Sequence, residues 1–242
     1  MPEKRTAVIL AGGVGSRLKP YTVSIPKPLL PLNGKPVLDI VLAQLSLHGF
    51  ERVVVSLGHL GGLIRYWLAG WEWSQIEIEY VEEAEPLGTA GALHLIRELP
   101  EYFLVMNGDL LTTFDYSEFL RYVRESGQLA GIALTSRSIA VDYGVIEIDE
   151  QGNVDRYSEK PRIKFDVSMG IYALNRETLN HLDGTYMDMP TLLSKVQEGG
   201  NCVRAFKSDC YWQDIGRLDD FQQAEEDFTR FPERFVSEER RQ

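Results

Sequence analysis

Hydrophobic and polar positions change period several times along the chain, and each change marks an element. Residues 6–11 (TAVILA) are a compact apolar run, 37–48 (VLDIVLAQLSLH) carry apolar residues at helical spacing, and 52–57 (RVVVSL) is a second buried-strand run. Strand, helix, strand in that order is the grammar of a parallel βαβ unit. The alternation continues with a helix over 60–69, a half-buried strand over 76–81 (IEIEYV), a helix over 89–99 and a strand over 102–107 (YFLVMN). Asp115 then reads as the N-cap of a helix running to about Glu125, followed by a strand over 129–135.

From about residue 137 the texture changes. Residues 143–148 and 154–159 alternate at period two around the turn-rich DEQGN, which predicts a hairpin inserted into an otherwise wound α/β chain. A strand over 166–173, a helix over 191–197 and a closing amphipathic helix over 218–228 complete the pattern. The expected organisation is one domain over 1–230, with halves at about 1–136 and 137–216, a closing helix at 217–229 and a frayed, charged tail at 231–242.

Composition narrows the partners. The chain has 242 residues, 44% of them hydrophobic, and a net charge of −11. That length buries a substantial core, and that charge argues against a nucleic-acid or acidic-membrane surface, both of which need a basic footprint. No stretch approaches the roughly 20 apolar residues of a membrane span, and the apolar run at 7–11 is too short for a signal-peptide core, so a cytoplasmic protein is expected. Cys202 and Cys210 lack any CxxC spacing and read as reduced residues. His48, His59, His94 and His181 have no i, i+4 partner, and Trp67, Trp71 and Trp73 read as packing or as a subunit contact.

The chemistry begins after the first strand, in LAGGVGSRLKPYTVSIPKPLLPLNGKP (10–36). In an open α/β sheet, ligands sit at the carboxyl ends of the strands. Leu10, Ala11, Gly12, Gly13, Gly15 and Ser16 leave the strand at that edge, and glycines there let backbone N–H groups curve around an anion while Arg17 adds a fork of donors. The loop is neither a Walker A motif nor a full dinucleotide fingerprint, since Leu18 stands where a third glycine would be. By itself it fits a tight turn as well as an anion cradle. Pro26 and Pro28 stiffen the chain on both sides of Lys27, and a lysine so presented near an arginine implies an anion between them.

Together with EPLGTAGAL (85–93), NGDLLT (107–112), DYGVIE (142–147), SEKP (158–161), SMGIY (168–172) and YWQDIG (211–216), this stretch resembles the sugar-phosphate nucleotidylyltransferases over about residues 5–228. The resemblance implies an α/β fold with a Rossmann-like mixed, mostly parallel sheet flanked by helices and a sugar-binding hairpin region. It also implies transfer of a nucleotidyl group from a nucleoside triphosphate to a sugar 1-phosphate, with release of pyrophosphate. In that setting Arg17 and Lys27 would be catalytic, and the 10–16 loop, Glu85, Gly88 and Asp109 would bind nucleotide. Gly144, Glu159, Lys160 and Gly170 would bind sugar phosphate, and Asp109 and Asp214 would hold Mg2+.

The closing YWQDIGRLDDFQQA looks most like guanylyltransferases acting on mannose- or manno-heptose 1-phosphate, with uridylyl, cytidylyl and thymidylyl versions open. No hexapeptide-repeat region is visible, so acetyltransferase activity is not expected. Two other classes compete. A glycosyltransferase of similar topology would show Asp-x-Asp, whereas Leu110 and Leu111 follow Asp109. A catalytically inactive regulatory paralogue would be expected to lose some of Arg17, Lys27, Asp109, Lys160 and Asp214, and all five are present. A homodimer is the default assembly for an enzyme of this kind.

Overall fold

The structure, a computed structural model, describes residues 3–70 and 76–236. Trp71 and Trp73 lie outside the described residues. The chain runs through β1 (Thr6–Ala11), a glycine- and proline-rich loop, the two-residue strands β2 (Pro31–Leu32) and β3 (Lys35–Pro36), and α1 (Val37–Leu47). It continues through β4 (Arg52–Leu57), α2 (Gly61–Ala69), β5 (Glu77–Glu82), α3 (Gly88–Gly91), β6 (Tyr102–Asn107), β7 (Leu110–Thr112) and α4 (Tyr116–Ser126). The rest comprises β8 (Ala130–Ala140), β9 (Val145–Ile148), β10 (Val154–Ser158), β11 (Arg162–Asn175), α5 (Met189–Glu198), β12 (Val203–Lys207), β13 (Trp212–Asp214) and α6 (Leu218–Arg230).

Seven of the described strands form one sheet in the order β12-β8-β11-β6-β1-β4-β5. β11 runs antiparallel to both neighbours, and every other pairing in this sheet is parallel. The sheet is therefore mixed and mostly parallel, with helices on both faces, as the sequence predicts. Parallel strands covered on both faces need apolar side chains at consecutive positions, which is why TAVILA and RVVVSL are continuous runs. Ile9, Val53, Val55 and Leu104 pack on one face with Leu38 and Leu42 of α1 and Phe119 of α4. Their chain neighbours Val8, Val54, Phe103 and Val105 pack on the other with Leu93 and with Leu192 and Val196 of α5. No helix among the described residues is long and apolar enough to cross a membrane.

Several elements differ from expectation. The helix predicted over 89–99 is only the four-residue α3 and a 3-10 turn at Ala92–Leu95, after which Ile96 is extended. Gly88 and Gly91 are poor helix formers, and here they serve another contact described below. β8 and β11 run to Ala140 and back from Arg162, well past the predicted strands, because beyond the sheet they pair only with each other and their exposed side chains show no apolar run. The predicted hairpin is present as the β9–β10 pair between these arms. The tail expected from residue 231 is partly core: Pro232–Arg234 form a 3-10 turn, and Phe235 and Val236 are buried against Tyr211, Phe228 and their neighbours.

Candidate active site

β1 delivers the glycine loop to the carboxyl edge of the sheet, where a cavity of about 470 Å3 opens. Leu10 through Arg17 line it on one side, which brings together all the loop residues singled out in the sequence. Gly15 sits in the left-handed region at φ 63°, capping the short turn Ser16–Leu18, and its carbonyl accepts from Leu18 N–H and Thr22 Oγ1. A Cβ there would lie 2.9 Å from Thr22 Cγ2, so glycine is required by conformation and by space. Gly13, which lines the cavity, has none of the described residues beyond its chain neighbours within 4 Å of the place where its Cβ would be.

Lys27 enters the cavity as the first residue of a 3-10 turn, preceded by Pro26 in extended conformation and followed by buried Pro28. Its Nζ is paired with Asp109 Oδ2 and lies 3.6 Å from Asp214 Oδ1. The two aspartates, more than 100 positions apart in sequence, are brought together by a strand pair too short to be read from hydrophobic periodicity. β7 pairs antiparallel with β13 so that Asp214 stands opposite Leu110, the residue after Asp109, and Ile215 N–H donates to Asp109 C=O. Gly108, between β6 and Asp109, donates its N–H to Leu10 C=O, which ties this turn to the glycine loop. Burial pushes the Asp109 carboxyl above its ordinary value and Asp214 pushes the same way, while the Lys27 ammonium pulls it down. Asp109 Oδ1 and Asp214 Oδ1 are buried atoms with no hydrogen-bond partner among the described residues. Two acceptors with lone pairs to spare, and no cluster of three or more His, Cys, Asp or Glu among the described residues, suit a hard cation that brings phosphate and water oxygens as its other ligands. Arg17 approaches the same place: a Cβ on Gly216 would lie 2.9 Å from Asp214 Oδ1 and 3.3 Å from Arg17 Nη2.

The other residues singled out divide into two groups. Gly144 and Glu159 meet on the hairpin region, where Tyr157 Oη donates to Glu159 Oε2 at 2.7 Å and a Cβ on Gly144 would lie 2.5 Å from Tyr157 Oη. Lys160 follows in the left-handed region at φ 44°. Gly170 lies at φ 70° in the irregular middle of β11, where a Cβ would be 2.5 Å from Asn107 Nδ2. Asn107 lines the cavity, whereas Gly144, Glu159, Lys160 and Gly170 do not.

Glu85 is exposed and outside the cavity; Glu83, two residues earlier, lines it. Glu83 Oε1 accepts from Ser56 Oγ at 2.8 Å and Oε2 accepts from Leu87 N–H at 2.9 Å, which ties the end of β4 to the turn before α3. The same carboxylate lies 2.6 Å from where a Cβ on Gly12 would be. Gly88 also lines the cavity, but its lack of a side chain serves a packing contact as well: a Cβ would lie 2.6 Å from Met187 C=O. Tyr186 and Asp188, beside that contact, complete the lining and carry no motif that would single them out in the sequence.

Residues 6–230 match the nucleotidyl transferase family. A UTP–glucose-1-phosphate uridylyltransferase from Synechocystis is 30% identical over 239 residues, covering 90% of this chain and 62% of the relative. A mannose-1-phosphate guanylyltransferase catalytic subunit beta from Xenopus tropicalis is 31% identical over 225 residues, covering 89% and 62%. The chain thus spans less than two thirds of the length of these curated relatives. Among solved structures, HddC from Yersinia pseudotuberculosis superposes with a TM-score of 0.73 at 28% identity, covering 93% of this chain and 99% of that one. HddC complexed with GMP-PN gives a TM-score of 0.72 at 26% identity.

Proposed function

The chain belongs to the nucleotidyl transferase family, and on that premise we propose that it joins a nucleoside triphosphate to a sugar 1-phosphate, releasing pyrophosphate, with GTP and a mannose- or manno-heptose 1-phosphate as the pair. The observation that carries this reading is the Lys27–Asp109–Asp214 cluster, with two carboxylate oxygens that accept no hydrogen bond among the described residues, at the edge of a glycine-lined cavity. The guanine preference draws on the guanylyltransferase relative and on the GMP-PN complex of HddC; the uridylyltransferase relative supports UTP as the second reading.

In this mechanism a phosphate oxygen of the sugar 1-phosphate attacks the α-phosphorus. A new P–O bond forms, the bond from the α-phosphorus to the α,β-bridging oxygen breaks, and the electron pair leaves with pyrophosphate. The nucleophile is already an anion near neutral pH, so the protein has no proton to remove. Its work is positioning and charge neutralisation. The backbone of residues 10–16 cradles the phosphates, Arg17 holds their far end, and Lys27 exchanges part of its pairing with Asp109 for the phosphate oxygens. Asp109 and Asp214 would hold Mg2+, which supplies Lewis-acid stabilisation of the departing charge. Residues up to about 136 bind the nucleotide, with Glu83 rather than Glu85 at the base. From 137 to 216, Gly144, Glu159, Lys160 and Gly170 bind the sugar phosphate, the arms bringing the hairpin to the nucleotide.

Pyrophosphate release, followed with Mg2+ over GTP, UTP, CTP, dTTP and ATP against mannose, glucose, N-acetylglucosamine and manno-heptose 1-phosphates, tests the reading. Release that needs both substrates and is fastest with GTP and a manno-configured sugar is the expected result. A faster UTP–glucose pair replaces the substrate assignment, and release without the sugar phosphate contradicts the reaction.

A further inference from the structure

The segment Thr185–Met189 runs along one wall of the cavity as a strap whose placement is over-determined. Met187 C=O accepts from Ala90 N–H at 2.9 Å and Gly91 N–H at 3.0 Å, Met187 N–H donates to Leu87 C=O at 2.8 Å, and Met189 N–H donates to Thr89 Oγ1 at 2.8 Å. Glycine at 88 and 91 makes the approach possible, since a Cβ at either would lie within 2.7 Å of a strap carbonyl. These contacts hold Tyr186 and Asp188 on the cavity wall beside Gly88 and Thr89.

Asp188 stands at the N-cap of α5, where an aspartate ordinarily accepts from its own helix's N–H groups, as Asp115 does for α4 with Ser117 and Glu118. Asp188 makes no such bond. Its carboxylate instead accepts from Tyr186 Oη, which stands 3.0 Å from Oδ1 and 3.1 Å from Oδ2. This aspartate forgoes its capping bond, and a tyrosine holds its carboxylate at the wall of the cavity.

Resting on the function proposed above, we infer that Asp188, oriented by Tyr186, binds a vicinal diol of a substrate. Phosphate oxygens would be repelled by this carboxylate, so it suits a neutral part of the ligand that offers donors. Two adjacent hydroxyls match the two oxygens of a carboxylate, and an exposed tyrosine ring beside it suits the C–H face of a furanose or pyranose. The diol is either the 2′,3′-diol of the nucleotide ribose or a pair of ring hydroxyls of the sugar phosphate.

Asp188→Asn, with its folding checked by thermal melting, is assayed with GTP, 2′-deoxy-GTP, 3′-deoxy-GTP, mannose 1-phosphate and the 2-deoxy and 3-deoxy analogues of mannose 1-phosphate. KM for the diol-bearing substrate rises about tenfold, kcat stays within about twofold, and the penalty disappears with that substrate's deoxy analogue. A ribose diol shows this loss with the deoxynucleotides and a sugar diol shows it with the deoxysugars. Tyr186→Phe moves the same KM in the same direction by a smaller factor and serves if the first variant does not fold. An unchanged KM, an equal penalty with parent and deoxy substrates, or a penalty that vanishes when ITP replaces GTP overturns the inference. If the wild type releases no pyrophosphate with any pair, the function itself has failed. Calorimetric binding of GTP against 2′-deoxy- and 3′-deoxy-GTP, and of mannose 1-phosphate against its deoxy analogues, to wild type and Asp188→Asn then decides the inference, with equal affinities overturning it.

Discussion

Lys27 is the residue on which most of the account depends. It is the cation shared by the Asp109 and Asp214 carboxylates, and in the proposed reaction it meets charge that grows on the phosphates as pyrophosphate leaves. Lys27→Ala is expected to lower turnover by about 10²–10³-fold while the far-ultraviolet circular dichroism spectrum stays unchanged. Unaltered turnover would remove Lys27 from the mechanism. Asp39 supplies a test independent of function. Burial raises its pKa from 3.8 to about 6, against the opposing hydrogen bond from Trp67 Nε1. The folded state therefore binds the extra proton between those values, and stability falls as pH rises from about 4 to about 6. Allowing for the side chain's partial exposure, Asp39→Asn should stabilise the protein by about 1 kcal/mol at pH 7.5 and leave it unchanged near pH 3.5, as read by urea unfolding. Residues such as Lys27, Arg17 and Asp109 were legible in the sequence because proline, glycine or a strand end marks them locally. Glu83, Tyr186 and Asp188 were not. Their place in the site comes from long-range contacts, the strap lying about 100 positions from the turn it docks on, and no local pattern records that.

Among the elements, the glycines separate into kinds that a sequence cannot tell apart. Gly13 has open space at its Cβ position and lines the cavity, whereas Gly88 has φ 78° and a carbonyl 2.6 Å from where its Cβ would be. Gly13→Ala should keep the unfolding midpoint while weakening nucleotide binding by about tenfold, because Gly13 lines the cavity proposed to take the nucleotide. Gly88→Ala should cost about 2–3 kcal/mol of stability by detaching the strap. Denaturant unfolding paired with nucleotide titration checks both, and a reversed pattern contradicts the assignment. Strands whose two faces are covered, β1, β4 and β6, were readable to the residue. The exposed arms of β8 and β11 were not, since hydrogen bonding rather than burial holds them, and the β7–β13 pair was not because, although β7 is buried, three residues are too few to show a period. The shortened α3 shows the opposite error: its apolar spacing comes from packing under the strap and not from a long helix.

For the whole molecule, the sheet does two jobs. Its parallel half, β6-β1-β4-β5, presents the glycine loop and Asp109, and its antiparallel β11–β8 pair extends into the arms that bear Gly144 and Glu159. The last segment closes the core behind them: Phe235 packs edge-on against Tyr211, with ring centres 5.1 Å apart, one residue from β13 and three from Asp214. Phe235→Ala should cost about 3–4 kcal/mol of stability, where a frayed tail would cost nothing, and thermal unfolding distinguishes the two. The account's central claim is direct transfer between two phosphates at one site, and the most direct test follows phosphorus by NMR. The wild type is mixed with GTP, mannose 1-phosphate and Mg2+ while the sugar-nucleotide and pyrophosphate resonances are recorded together. The account predicts that the two products rise in equal amounts, that both need the sugar phosphate, and that added pyrophosphate drives the reaction back to GTP. Pyrophosphate appearing without sugar nucleotide, or no turnover with any nucleotide and sugar phosphate while GTP still binds, would contradict it.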